Sequence, residues 1–349
     1  METAGQQVKS LLQKIEKTDI PDKLKVKVSV RLHQLSALVD SPTFLPELDR
    51  LAKYIDWITE IPWNKRTKDI LDLKYAKKVL DKHHHGLEMI KDRMLEYISI
   101  MKLNRDKHKE ENIEHAPILC FVGLVGTGKT TISKSIAEAL GREFARIPFG
   151  GMGSPLDMRG QAKSQPEAEP GKVIKALRNT KTKNPVILLD EIDRVTDEGR
   201  ASIMGVLVEL LDPEQNDAFV DHYIDYPVDL SEVLFIATAN NTHHIATAVL
   251  DRLEPIMMPS YSDIEKITIG REYMLPKILL ESGISEDTIT INDDAWAQIV
   301  RPLGFDAGMR TLERTIEGMV RKVAKMVVEG KADKITITPE NAKEHLPQY

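Results

Sequence analysis

The sequence predicts an α/β fold: a parallel sheet of the phosphate-loop type with helices on both faces, preceded by a helical module and followed by a small, mostly helical lid. Three observations carry this. The apolar run Ile118 to Val122 is followed by Gly123-Leu-Val-Gly126-Thr-Gly128-Lys129-Thr130 and then by Ile132, Ile136, Ala137 and Leu140 at helical spacing. Strand, glycine loop and helix is the context a phosphate loop requires. A second apolar run, Val186 to Leu189, ends in the paired carboxylates Asp190 and Glu191. Strands alternate with helices as far as Pro259, which implies parallel strands with a ligand at their carboxyl ends, and beyond it the pattern turns mostly helical.

Composition bounds the rest. A chain of 349 residues suits about two to three domains. Hydrophobic residues at 42% and charged residues at 29% leave room for real cores. The net charge of −6, from 48 basic and 54 acidic residues, does not favour a nucleic-acid binder outside a local basic patch. The single cysteine, Cys120, excludes an intramolecular disulfide and reads as a small apolar filler of the first strand. No apolar run approaches the roughly 18 residues of a membrane span, and Met1 to Ser10 is polar without a signal-peptide core, so a cytoplasmic protein is expected.

Residues 1–63 read as a helical module. Val8, Leu11, Leu12 and Ile15 share a helical face. Leu24, Val26, Val28, Val30 and Leu32 alternate like a strand, yet Leu24, Val28, Leu32, Leu35 and Val39 also form a helical stripe, and its length favours helix. Ser41-Pro42 breaks it, and Leu48, Leu51, Ala52, Ile55 and Ile58 resume a helical face ending at Ile61-Pro62-Trp63. A separate module and a part of one continuous core fit this pattern equally.

Residues 64–258 form the nucleotide-binding domain. It opens with a polar linker, Asn64 to Asp72, a short helix from Leu73 to Leu80, and a helix from Leu87 to about Leu103. His83-His84-His85 invites a metal reading, but adjacent loop residues rarely converge on one ion and no Cys or carboxylate cluster completes a site. A charged loop, Asn104 to His115, leads to the first strand. Phe144 to Phe149 is the next strand, glycines and prolines mark exposed loops near 150–155 and 165–171, and Lys172 to Asn179 is helix. A helix ends at Leu211, and Val233 to Ala237 is a strand leading into Thr238-Ala-Asn240. Residues 259–349 form the lid, with helices at Ile264 to Leu280, Asp293 to Val300 and Thr311 to Glu329 and a late strand at Lys334 to Thr338.

The chemistry follows from residue type and place. Gly123, Gly126 and Gly128 let the backbone curl so that the N–H groups from Gly123 through Val125, Thr127 and Lys129 to Thr130 and Thr131 surround an anion at a helix start. Lys129 supplies a mobile charge for β- and γ-phosphates and Thr130 a hydroxyl for Mg²⁺. Asp190 can hold the Mg²⁺ shell and Glu191 can accept a proton from attacking water; a pair of acids at a solvated strand end is the alternative. Asn240 at a strand tip can orient that water or simply form a turn.

These residues resemble the ATPase part of the Lon family of ATP-dependent proteases, within the AAA+ group, over nearly the whole chain. Lys183-Asn-Pro185-Val-Ile-Leu-Leu-Asp-Glu-Ile-Asp193 is very close to the family's acidic motif, and Leu211-Asp-Pro-Glu-Gln-Asn216 and Asp221-His-Tyr-Ile224 are among its most specific runs. Glu60-Ile-Pro-Trp63-Asn-Lys-Arg66 is similar to the junction before the ATPase, and Asp157-Met-Arg-Gly160 to the start of the first pore loop. The resemblance implies ATP or ADP with Mg²⁺, held also by His85, Gly86, Leu87 and Tyr261 on the nucleotide side. It implies that Asn240 senses the γ-phosphate, that Arg252 is a finger reaching a neighbouring subunit, and that Arg310 is the lid's sensor arginine. A shared site implies a ring of identical chains, hexameric in this family, which pulls unfolded or damaged protein through a central pore.

Two segments depart from the family pattern. Gln165-Pro166 stand where the first pore loop usually carries an aromatic and an aliphatic residue, so the large rigid grip of an aromatic is lacking. His85 stands where a tyrosine is expected. The proteolytic domain would begin near Tyr349 and no serine–lysine dyad motif is present, so the chain is either a piece of a longer protease, joined to that domain in cis, or works without one. The leading function is a Mg-ATPase that unfolds proteins for a Lon-type protease. A nucleotide-dependent switch or scaffold, motivated by Gln165-Pro166, is the alternative. DNA binding, which Lon-like proteins can show, is a third that the acidic balance disfavours.

Overall fold

A computed structural model of the chain describes residues 4–39, 41–107, 118–301, 308–331 and 333–347, which fall into two compact units. The first comprises Met1–Leu71, Ile100–Cys120 and Ala137–Pro255. Its amino-terminal part is three helices, α1 (Ala4–Lys17), α2 (Asp22–Ser36) and α3 (Phe44–Glu60). The ambiguous stretch around Leu24 is therefore helix: Leu24, Val28 and Leu32 turn inward while Val26 and Val30, the other members of the alternation, are exposed. These helices share a core of Val8, Ile15, Leu48, Ile55 and Ile58. They also belong to the same unit as the sheet. Tyr54 Oη of α3 donates to Ile224 O at 2.8 Å, and the Arg178 guanidinium lies over Trp57 at 4.0 Å.

The sheet has the strand order β2 (Phe144–Pro148), β3 (Val186–Asp190), β6 (Leu234–Ala239), β1 (Ile118–Val122), β7 (Leu253–Met257), and β3 pairs in parallel with both β2 and β6. β3 and β6 are buried along their whole length, which a strand achieves only when both faces of its sheet are covered by helices. α8 (Lys172–Thr180) packs on β2, and α9 (Arg200–Leu211) is a second helix of this unit with a buried apolar side. β7 was not legible as a strand because Glu254 and Pro255 interrupt its apolar run. A small antiparallel pair, β4 (Phe219–Val220) with β5 (Pro227–Val228), was also missed, being too short to show a period.

Residues 64–71, polar enough to read as a linker, strap the edge of this unit. Thr67 N donates to Asn184 Oδ1 at 2.8 Å and Asn184 Nδ2 returns a bond to Thr67 O at 2.9 Å. Arg142 donates from Nε and Nη2 to the two oxygens of Asp69 at 2.8 Å each, and Arg66 forks onto Glu232. Forked charge-assisted bonds of this kind fix orientation as well as adding energy. The polar composition signals partners rather than solvent.

The second unit comprises Asp72–Ser99, Phe121–Ile136 and Ile256–Tyr349. It contains α4 (Leu73–His83), capped by Asp72, and most of α5 (Glu88–Lys107). The charged loop expected at 104–115 is helical as far as Lys107, and its remainder lies outside the described residues. After the phosphate loop comes α6 (Lys129–Leu140), whose first two turns belong here. The lid is α11 (Asp263–Ile269), a π-helical turn at Gly270–Met274, α12 (Leu275–Glu281), α13 (Trp296–Val300) and α14 (Arg310–Val328), around Trp296, Leu312, Ile316, Met319 and Val323. A Cβ at Gly270 would lie 2.7 Å from the Trp296 ring, so glycine at the irregular turn lets the indole pack against backbone. The late strand is β9 (Ile335–Ile337), and it pairs in parallel with an unforeseen β8 (Ile289–Ile291). Among the described residues no helix is long and apolar enough to cross a membrane.

Candidate nucleotide site

The phosphate loop leaves β1 at Gly123, where a Cβ would meet Met258 Cβ and O at 2.8 Å. Gly126 and Gly128 have φ of +83° and +92°, a region that side-chain-bearing residues enter only at a cost. The lysine that sequence spacing nominated, Lys129, opens α6 and is buried; its Nζ donates to Gly123 O at 2.6 Å and Leu124 O at 2.9 Å. The ammonium is thereby held inside the curl of the loop. Thr127 Oγ1 donates to Leu124 O at 2.9 Å and Thr131 Oγ1 to Gly128 O at 2.8 Å, pinning the curl from both sides. Val125 is partly exposed and Thr130 half-buried at the helix start.

The lid closes on this loop within the same unit. Met309 N donates to Gly126 O at 2.9 Å, and the Arg310 stem lies 3.3 Å from where a Gly126 Cβ would stand. Tyr261 Oη donates to Thr127 O at 3.2 Å, and burial pushes the phenol up to about 12. Arg310 and Tyr261 are therefore both at the loop. His85, Gly86 and Leu87 stand between α4 and α5. Gly86 and Leu87 have φ of +65° and +59°, and the Leu87 side chain packs on the lid core. His85 faces the Tyr273 ring at 6.4 Å, and hydrogen bonds from Ser262 together with His85 hold the Glu265 carboxyl low. The three consecutive histidines diverge: His83 ends α4, His84 Nε2 is 2.9 Å from Ser135 Oγ of α6, and His85 turns to Tyr273. Burial, reinforced by His83 and Lys91, holds the His84 imidazole down to about 4.

The acidic residues belong to the first unit. Asp190 ends β3 and is buried, and Glu191 follows with φ of +58°. Thr238 of β6 joins them: its hydroxyl donates to Asp190 Oδ1 and accepts from Glu191 N at 2.9 Å. Arg146 of β2 donates from Nε to Asp190 Oδ2 at 2.6 Å. Glu191 sits beside Gly150, where a Cβ would approach Oε2 to 3.3 Å, and 3.9 Å from Arg194. Asn240 directly follows β6, and the next residue's N–H, that of Asn241, points to Asp193 Oδ2 at 3.4 Å. Sequence reasoning missed Thr238 and Arg146. Thr238 was visible as the residue two before Asn240 on one strand face, but only the register of three strands identifies its partners.

Arg252 donates from Nη2 to Asp212 Oδ2 at 2.7 Å and from Nη1 to Ala248 O at 2.8 Å, and the bond from Arg252 holds the Asp212 carboxyl low. Gln165 and Pro166 lie at the exposed tip of the 161–169 loop, where Gln165 N donates to Ala162 O at 2.9 Å. At its base Lys163 lies over the Tyr54 ring at 4.9 Å and pairs with Asp225 at 3.0 Å.

Comparisons with known proteins bear on this arrangement. A family model described as the ATPase family associated with various cellular activities (AAA) matches residues 119–261, and one described as the Lon protease AAA+ ATPase lid domain matches residues 280–336. A Lon protease of Lawsonia intracellularis is 43% identical over 344 residues, covering 98% of this chain and 40% of its own length. A Lon protease 2 of Thermus thermophilus is 39% identical over 350 residues, covering 99% of this chain and 43% of its own length. Lon protease 1 of Bacillus subtilis is 39% identical over 340 residues, covering 97% of this chain and 43% of its own length. The chain thus spans about two fifths of the length of these relatives.

Proposed function

Because the chain belongs to the Lon family of ATP-dependent proteases as its AAA+ ATPase part, we propose that it hydrolyses Mg-ATP and uses the cycle to pull on unfolded polypeptide. The observation that carries this reading is the loop at Gly123–Thr131 with the lid seated on it: two left-handed glycines, a buried lysine, and Met309 bonded to Gly126 O. Such a concavity of N–H groups at a helix start suits a polyphosphate. The hydroxyl of Thr130 and the carboxylate of Asp190 are hard oxygen donors of the kind Mg²⁺ prefers, so the residues fit the ion. Bound Mg²⁺ would supply neutralisation of phosphate charge.

In this reading Lys129 leaves the carbonyls of Gly123 and Leu124 for the β- and γ-phosphates, and Arg310 senses them from the lid. Glu191 takes the proton of the attacking water, and Asn240 orients that water. Thr238 keeps the two acids in fixed relation. Arg252, held out by Asp212, serves the nucleotide of a neighbouring chain, so the active form is a ring. His85, Gly86, Leu87 and Tyr261 border the nucleotide. Gln165-Pro166 at the exposed loop tip grip substrate weakly, because proline restricts its own φ and the residue before it and neither side chain offers an aromatic surface.

Steady-state ATPase of the chain, with and without casein, tests the reading. Glu191→Gln should retain fluorescent-ADP binding and lose most hydrolysis, by about 100-fold or more for a general base. Wild type should hydrolyse ATP with little casein stimulation, and Gln165→Tyr with Pro166→Ile should raise the stimulated rate only. An unaltered rate in Glu191→Gln overturns the role of Glu191. A paired variant that forms rings but stays unresponsive favours a nucleotide-dependent scaffold instead.

A further inference from the structure

Asp190 is only 4% exposed, and both of its carboxylate oxygens are engaged. Oδ1 accepts from the Thr238 hydroxyl. Oδ2 accepts from Arg146 Nε at 2.6 Å, with Arg146 Nη2 at 2.6 Å from the same oxygen. Strand register explains the reach. Arg146 of β2 is opposite Leu188 of β3, and Asp190 is two residues further on, hence on the same sheet face. A diagonal neighbour across about 7–8 Å is within range of a long side chain. The two partners differ in burial: the Arg146 side chain is 51% exposed and that of Asp190 5%. A carboxylate that far from water needs a positive partner, whereas a guanidinium at the solvent edge can leave without unpacking anything.

We propose that Arg146 is a positioning residue that acts through Asp190 as a stand-in for the metal. It keeps the buried carboxylate paired and aimed before the metal binds, and it is displaced when Mg²⁺ arrives with nucleotide. Thr238, bonded to the other oxygen and to Glu191 N, stops the carboxylate from swinging as its partners exchange. The site is therefore held ready at the cost of a competition, and Mg²⁺ affinity is set partly by how firmly Arg146 holds on. This rests on the reading of Asp190 as a Mg²⁺-shell residue.

The test uses the full chain and two readouts besides turnover: the free Mg²⁺ concentration that half-saturates formation of the fluorescent-ADP complex, and the melting temperature in EDTA and in saturating Mg-ADP. Arg146→Gln should lower the half-saturating Mg²⁺ by about threefold or more, the scale of a partly exposed ion pair. It should also melt lower than wild type in EDTA, and most of that gap should close in Mg-ADP, where the metal replaces the lost partner. Arg194→Gln removes a charge of equal exposure that pairs with Glu191 rather than Asp190, and should leave the Mg²⁺ dependence in place. If the glutamine variant does not fold, Arg146→Lys carries the same comparison, with a smaller shift in the same direction. A Mg²⁺ dependence equal to or weaker than wild type in a folded Arg146 variant overturns the proposal, as does an equal shift in Arg194→Gln. Asp190→Asn separates the two levels: if it leaves the Mg²⁺ dependence untouched, the assignment of Asp190 itself is wrong.

Discussion

Gly308→Ala asks whether the lid must touch the phosphate loop for the site to work. A Cβ on Gly308 would lie 2.4 Å from Val125 O and 3.0 Å from Gly126 Cα, both backbone atoms that no rotamer change can move. A carbon–oxygen contact settles near 3.3 Å, so the two segments must part by about 0.9 Å. The neighbouring bond from Met309 N to Gly126 O is 2.9 Å long, and a separation of that size carries it past hydrogen-bonding range, about 3.2 Å. Overpacking of this kind costs about 1–3 kcal/mol. Arg310, the first residue of α14, moves with the segment.

The functional loss should exceed the stability loss. A displacement of about 1 Å in a positioning group can cost on the order of 100-fold in rate. Gly308→Ala should therefore fold, melt a few degrees lower, bind fluorescent ADP more weakly and hydrolyse ATP about 10- to 100-fold more slowly. Thermal melting, nucleotide titration and steady-state ATPase at saturating ATP read the three effects separately. A variant with wild-type affinity and turnover would refute the reasoning, because the close approach would then have no bearing on phosphate handling.

Two further outcomes are expected. His84, whose pKa is held down to about 4 from 6.5, resists a proton that the unfolded chain accepts, so its contribution is complete above pH 6.5 and is lost as pH falls toward 4. At 1.36 kcal/mol per unit the loss is about 3 kcal/mol, and urea unfolding from pH 7.5 to 4.5 should show a slope that flattens in His84→Gln; an identical slope in the variant would contradict it. Gly205 is exposed in the middle of α9, and a Cβ there meets nothing within 4 Å, so Gly205→Ala should stabilise by about 0.5–1 kcal/mol in thermal melts, and a lowered melting temperature would count against that environment.

The α/β class, the phosphate loop and the acidic strand were legible because each shows as a contiguous apolar run with fixed punctuation: glycines after Val122, carboxylates after Leu189. The lid helices were legible from their period, although the break into a π-helical turn at Gly270–Met274 leaves no mark on that period. What could not be read was pairing at long range. β8 and β9 are three residues each and become strands only through each other, 46 residues apart in register. Arg146 looks like an ordinary strand-surface arginine until β2 is set beside β3, and Asn184 looks like a turn residue until Thr67 is found bonded to it.

Backbone strain adds a second kind of hidden information. Among the described residues, the non-glycine positions with left-handed φ are Leu87, Glu167, Lys181, Glu191 and Asp225. Each costs roughly 1 kcal/mol or more against an ordinary backbone, a cost that glycine would relieve. Lys181 has a simple structural reason, since it terminates α8 and its N–H donates to Leu177 O. At Glu191 no helix is being terminated; the turn carries the chain from β3 into a single 3-10 turn, Ile192–Arg194, closed by the Arg194 N–H donating to Glu191 O. The residue leaves β3 sharply, its N–H donates to Thr238, and its carboxylate passes Gly150 instead of continuing along the sheet. A glycine would make that turn more cheaply but would carry no carboxylate. The retained strain is therefore understandable if the acid itself is needed at that point, and it is an argument for Glu191 as a proton acceptor that owes nothing to motif matching.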